Sequence, residues 1–148
     1  MDSLAFAHTG FFTTESAEKL ADLLQRAAPG KISMVYFVSG GSEAIEAALK
    51  MARQYHLERD EKERTHFIAR HQSYHGNTIG ALSVGGNVWR REPFKEMLMP
   101  STHIAPCYLY RNSYAGESEI DSGQRIANEL ETEIVRLGPK KVAAFIAE

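Results

Sequence analysis

One cysteine in 148 residues, Cys107, leaves no partner for an internal disulfide, and the chain reads as one kept in a reducing compartment. An excess of charge of one sign is also missing. Seventeen Lys and Arg stand against 19 Asp and Glu, a formal net charge of −2, so no basic footprint for nucleic acid is present. No apolar run reaches the roughly 18–20 residues of a membrane span. Met1 to Ala5 carry neither the basic start nor the apolar core of a signal peptide. The default expectation is a cytoplasmic protein with no membrane association. Metal-ligand spacing is lacking too. His71 and His75 are four apart, but Ser73 to Gly76 does not read as helix, and His66, His103 and Cys107 form no ligand pattern. There are no internal repeats and no low-complexity tracts.

What is present is the composition of an ordinary globular domain, 43% apolar and 24% charged. Residues 14–28 read as a helix. Thr14 stands at its N-cap, Glu15 and Glu18 in the first turn, and Leu20, Leu23, Leu24 and Ala27 form an apolar stripe. Met34 to Val38 reads as a buried strand. Ser42 to about Leu57 reads as a long helix, with Ala44, Ala48, Ala52 and Tyr55 on one face, Ile45 and Leu49 beside it, and Glu46 paired with Lys50. The charged run 58–64 is expected to be a solvated turn. His66 to Arg70 reads as a strand, Gly76 to Val84 as a short helix, and Asn87 to Ser101 as irregular. Thr102 to Ala105 reads as a strand, Tyr108 to Ser122 as a loop, Asp121 to Leu137 as an amphipathic helix, and Val142 to Glu148 as a buried final strand. Strands alternating with helices predict an α/β fold with a mostly parallel sheet. A buried strand at the very end predicts part of a larger domain, because a parallel strand needs cover on both faces.

Two stretches carry chemistry. In Ser39-Gly40-Gly41-Ser42-Glu43 an apolar run stops at two glycines and a helix starts at once. Free backbone N–H groups and the positive end of the helix dipole make such a turn an anion site. It is neither a P-loop, having no Gly-Lys-Ser/Thr, nor a dinucleotide fingerprint. A bare strand-to-helix turn, with Glu43 as a capping carboxylate, is the alternative reading. Ser73-Tyr74-His75-Gly76-Asn77-Thr78 adds a flat aromatic and a histidine. A phosphate cradle with a ring-stacking partner points to a flat phosphorylated cofactor. Tyr74 as a packed aromatic and His75 as a core histidine stay open beside it. Glu148, at the carboxyl end of a parallel strand, is where open α/β sheets bind ligands, or else a frayed terminal carboxylate.

Taken in order, Val35-Tyr36-Phe37-Val38-Ser39-Gly40-Gly41-Ser42-Glu43-Ala44-Ile45-Glu46, then Ser73 to Thr78, then Phe145-Ile146-Ala147-Glu148, the chain resembles the class III aminotransferases over nearly all of residues 5–148. These include the ω-amino acid and 4-aminobutyrate transaminases. The resemblance implies the three-layer, mostly parallel α/β sheet of the fold-type-I (aspartate aminotransferase-like) large domain, here incomplete. Residues 1–148 would be part of that cofactor-binding domain, with the N-terminal segment and C-terminal half of the family absent. It implies pyridoxal 5'-phosphate as cofactor and transfer of an amino group from an amine or ω-amino acid to a 2-oxo acid, by a protein that is homodimeric at full length. Gly40, Gly41 and Ser42 would hold the phosphate. Tyr74 would stack on the ring, His75 and Gly76 would shape the same wall, and Glu148 would match the glutamate of the cofactor and substrate pocket.

Ser39 and Gly40 replace the first two residues of the family's usual Asn-Ser-Gly-Ser-Glu, which leaves the anion-binding logic intact. The larger departure is that the Schiff-base lysine and the aspartate pairing with the ring nitrogen lie, in the family, beyond the segment matching Glu148. No lysine here has that context. The chain is therefore expected to be inactive alone. The alternatives are a non-catalytic fragment or pseudoenzyme that binds pyridoxal phosphate or another phosphate, and a degraded product that does not fold stably.

Overall fold

The computed structural model describes His8 and residues 10–148. Of the large-domain portion expected over 1–148, residues 1–7 and Thr9 thus lie outside the described residues. The chain divides into two units, Met1–Phe37 and Val38–Glu148.

In the first unit, helix α1 spans Glu15–Ala27. Thr14 caps it, its hydroxyl accepting the Ala17 N–H at 3.3 Å. The expected apolar stripe is in register but not buried: Leu20, Leu23 and Leu24 are all exposed. Met34 to Val38, expected as a buried strand, forms no ladder, and Met34 is 84% exposed. The pattern is that of a strand, but a strand exists only when neighbouring backbone completes its hydrogen bonds, and the described residues offer it none.

The second unit is an α/β layer structure. Its elements are α2 (Gly41–Leu57), β1 (His66–Arg70), α3 (Ile79–Val84), α4 (Val88–Arg91), a 3-10 turn (Glu92–Met97), β2 (Ser101–Ile104), α5 (Leu109–Asn112), α6 (Glu119–Leu137) and β3 (Val142–Ile146). The three strands are parallel in the order β2-β1-β3. Successive residues of β1 serve opposite layers. Phe67 and Ala69 pack with Leu49 of α2 and Val84 of α3. Ile68 packs with Ile104 and Val142, against Leu130, Ile134 and Leu137 of α6. Covered on both faces, the middle of β1, Phe67-Ile68-Ala69, is an apolar run without polar alternation. An irregularity opposite His66/Phe67 puts Ala143 and Ala144 on the same side of the sheet.

Several expectations shift. The inward face of α2 is Ile45, Leu49 and Ala52, whereas Ala44, Ala48 and Tyr55 are exposed. Both sets have helical spacing, and packing chose the bulkier one. Helix α3 starts at Ile79 rather than Gly76, because Gly76 has φ +138, outside helical backbone. The stretch 87–101 holds α4 and the 3-10 turn, and the expected loop 108–122 holds α5 and the first turn of α6. The charged run is solvated only in part. Arg64 turns in to donate to the carbonyls of Pro139 and Val142, while Glu61 meets both His56 and Arg64. Glu46 does not pair with Lys50; it reaches α3 instead.

Candidate functional site

Everything here lies in the second unit. The first intrahelical bond of α2 joins the Ala44 N–H to the Gly40 carbonyl at 3.0 Å, which leaves the Gly41, Ser42 and Glu43 amides ahead of it. Gly40 at the N-cap supplies no side-chain cap, and Glu43 bends back to accept the Ser39 N–H at 2.7 Å. The helix start is thus stabilised from behind while its leading amides stay free. A Cβ added at Gly40 or Gly41 would meet no atom within 4 Å, so protein packing does not demand glycine at either position. An anion approaching the backbone gives a reason for both.

Ser42 links this turn to the second motif. Its Oγ accepts the Asn77 N–H at 2.9 Å, and its hydroxyl hydrogen remains available to donate. Gly76 lies so close that a Cβ there would come within 2.6 Å of Ser42 Oγ. Glu148 closes the arrangement from β3, its carboxylate accepting the Tyr74 N–H. The seven residues singled out in the sequence, Gly40, Gly41, Ser42, Tyr74, His75, Gly76 and Glu148, are therefore joined through contacts between α2, the loop after β1 and the end of β3.

Tyr74 is half exposed, with the Arg90 guanidinium 5.1 Å from its ring centroid; Arg90 also lies 4.5 Å from the Trp89 centroid. His75 is buried, and its Nε2 has no hydrogen-bond partner. Burial holds its pKa below the ordinary imidazole value, although the Glu148 charge pulls the other way. The loop is fixed from below by Gly86, which exchanges backbone bonds with Gln72 and Ser73 at 3.0 and 2.9 Å. The cleft beside Glu148, lined by Arg70, Gln72, Cys107 and Tyr108 among others, encloses about 200 Å³, below the ~300–1,000 Å³ of a complete small-molecule site.

Sequence reading paired Glu46 with Lys50, quoted Asn77 and Thr78 in the second motif without a role for either, and missed Gly80. Glu46 accepts the N–H groups of Gly80 and Ala81 at 2.8 and 3.3 Å. The available signal was that Ser42 and Glu46 are four apart, hence on one face of α2. Among the described residues no cluster of His, Cys, Asp and Glu has the makings of a metal site, and no helix is long and apolar enough to cross a membrane.

The sequence pattern described as aminotransferase class-III matches residues 1–148. The chain belongs to this family. An uncharacterized aminotransferase of Schizosaccharomyces pombe is 45% identical over 99% of this chain, which covers 32% of that protein. A chloroplastic gamma aminobutyrate transaminase of Solanum lycopersicum is 32% identical over 100% of the chain and 29% of its own length. Among solved structures, the omega transaminase of Pseudomonas jessenii in complex with PMP superimposes with a TM-score of 0.90, at 33% identity, over 98% of this chain and 32% of that one. The class-III chain described here thus spans about a third of the length of these relatives, and its parallel sheet is part of the transaminase fold.

Proposed function

We propose that this chain is the phosphate- and ring-binding part of a pyridoxal-phosphate-dependent transaminase, one that moves an amino group from an amine or ω-amino acid to a 2-oxo acid. The observation that carries the reading is the Ser42–Asn77 bond, which sets the anion turn beside the loop bearing Tyr74 and His75. Pyridoxal phosphate, when bound, supplies the electron sink for breaking bonds at the amine carbon. This chain's own residues bind and orient. The Gly41, Ser42 and Glu43 amides and the Ser42 hydroxyl take the phosphate, Tyr74 offers its ring face, and His75 and Gly76 form the adjoining wall. Glu148 holds the Tyr74 backbone and puts a carboxylate at the edge where the amine enters.

None of the chain's lysines is suited to carrying the cofactor. Lys19, Lys62 and Lys95 pair with Glu15, Asp60 and Glu92. Lys31 and Lys50 are exposed. Lys140 and Lys141 precede β3, while Glu148 follows it, roughly 20 Å along the strand direction. By itself the chain therefore binds without completing turnover. The working protein is taken to be a cytoplasmic homodimer at full length.

Borohydride reduction with pyridoxal phosphate, followed by peptide mapping, tests this. Binding that Tyr74→Phe keeps and Tyr74→Ala weakens, with no adduct concentrated on one lysine, is expected. A single reduced lysine would overturn the assignment of a purely binding role.

A further inference from the structure

Helix α3 begins in an unusual way. Thr78 has the backbone of a capping residue, φ −78 and ψ 163, yet its hydroxyl makes no capping bond and is buried without a partner. A capping threonine ordinarily accepts an N–H from the second or third helical residue. Here those two donors, the Gly80 and Ala81 amides, go to Glu46 of α2. An ionised acceptor at a helix N-terminus outcompetes a hydroxyl, through charge-assisted hydrogen bonding and the helix dipole.

Glu46 is one turn beyond Ser42 on the same face of α2. The two acceptors grip the chain at Asn77 and again at Gly80 and Ala81. The fit is tight at both points. A Cβ on Gly76 would strike Ser42, and one on Gly80 would overlap the Glu46 carboxylate. Gly76 is needed for the loop to lie this close to the α2 backbone, whereas a side chain at Gly80 would displace the Glu46 carboxylate from its two amides. Gly86 and Glu148 hold the loop at residues 72–74; the Ser42 and Glu46 rungs hold the stretch from Asn77 into α3 against α2.

We propose that Glu46 is a positioning residue for the cofactor, locking the loop that carries Tyr74 and His75 to the helix whose N-terminus takes the phosphate. The inference rests on the reading of the site given above. It assigns Glu46 no contact with the cofactor; the residue acts by fixing the separation of anion turn and ring platform.

The test uses the full chain and three variants, Glu46→Ala, Glu46→Gln and Lys50→Ala, the last on the exposed side of α2. Dissociation constants are measured for pyridoxal phosphate and for inorganic phosphate, with thermal melts and the near-ultraviolet circular dichroism of bound pyridoxal phosphate. Glu46→Ala is expected to weaken pyridoxal phosphate about tenfold and to lose the dichroic signal at saturation, while inorganic phosphate, held by the turn alone, binds as before. Glu46→Gln keeps an acceptor oxygen and restores both affinity and signal, and Lys50→Ala matches the parent. If Glu46→Ala does not melt cooperatively, Glu46→Asp, one methylene shorter, carries the same comparison. Equal weakening of both ligands, or an unchanged dichroic signal, overturns the inference alone. A parent chain that binds inorganic phosphate but not pyridoxal phosphate overturns the site reading and this inference with it.

Discussion

Gly76 packs on Ser42 so closely that a Cβ on the glycine would lie 2.8 Å from the serine Cα and 2.6 Å from its Oγ. The contact ties the start of α2 to the loop after β1. Gly76 also has φ +138, which side-chain-bearing residues rarely adopt. Gly76→Ala is therefore expected to lose about 1–3 kcal/mol from backbone strain, with the clash in addition. Urea unfolding measures the loss. An unchanged midpoint would mean that the loop does not sit on α2 as described.

Ser42→Asp separates fold from anion binding. A carboxylate in the first turn of a helix is favourable by about 0.3–1 kcal/mol, and it still offers an oxygen to the Asn77 N–H, so the fold should persist. The same charge repels a phosphate. Pyridoxal phosphate and inorganic phosphate should both stop binding while the melt is retained, as equilibrium dialysis and calorimetry would show. Undiminished phosphate affinity would remove the turn from the site.

Gly86→Ala should be among the most damaging single changes. Its Cβ would overlap the Arg70 carbonyl and lie 2.6 Å from both the Gln72 nitrogen and the His71 carbonyl carbon. Backbone cannot swing aside as a side chain can, so the turn 70–73 must move and β1 lose its end. Greater destabilisation than in Gly123→Ala, where a Cβ meets nothing within 4 Å, is the expected outcome in parallel urea titrations.

His103 sets an acid limit on stability. Burial first, and then the nearby Arg91 charge, lower its pKa from 6.5 to about 4, although its Nε2–H donates to the Gly85 carbonyl at 2.9 Å. The folded state thus prefers the neutral ring. Its contribution is fully present above pH 6.5, where both states are neutral, and declines as pH falls toward 4, because the unfolded chain takes up the proton first. Unfolding free energy should fall with pH across that window, on the order of 2 kcal/mol, and fall less in His103→Gln. Equal slopes for parent and variant would assign the acid sensitivity elsewhere.

Much of this was legible in the sequence for physical reasons that act locally. The apolar stretches Phe67-Ile68-Ala69 and Val142 to Ile146 identified β1 and β3, and the Thr14 cap marked the start of α1. The glycine pair before an apolar helix marked a helix start with free amides, because such amides follow from backbone geometry alone. Asn77 and Thr78 were legible only as members of the second motif, and Gly80 not at all, because their roles are defined by what α2 presents to them, not by their neighbours in the chain.

By itself the sequence determined the α/β class, the family, the strands β1, β2 and β3 with the long helices α2 and α6 around them, and the seven residues worth placing. Tertiary structure alone decided which face of α2 turns inward, since two stripes had the same period and only packing against Phe67 and Ala69 distinguishes them. It also decided that Met34 to Val38, strand-like in pattern, joins no ladder among the described residues, because a strand is completed by another strand's backbone. The same logic governs Glu46. A carboxylate that reads locally as half of an ion pair with Lys50 becomes the cap of another helix, because the unpaired amides of α3 lie within its reach and offer more than an exposed lysine does.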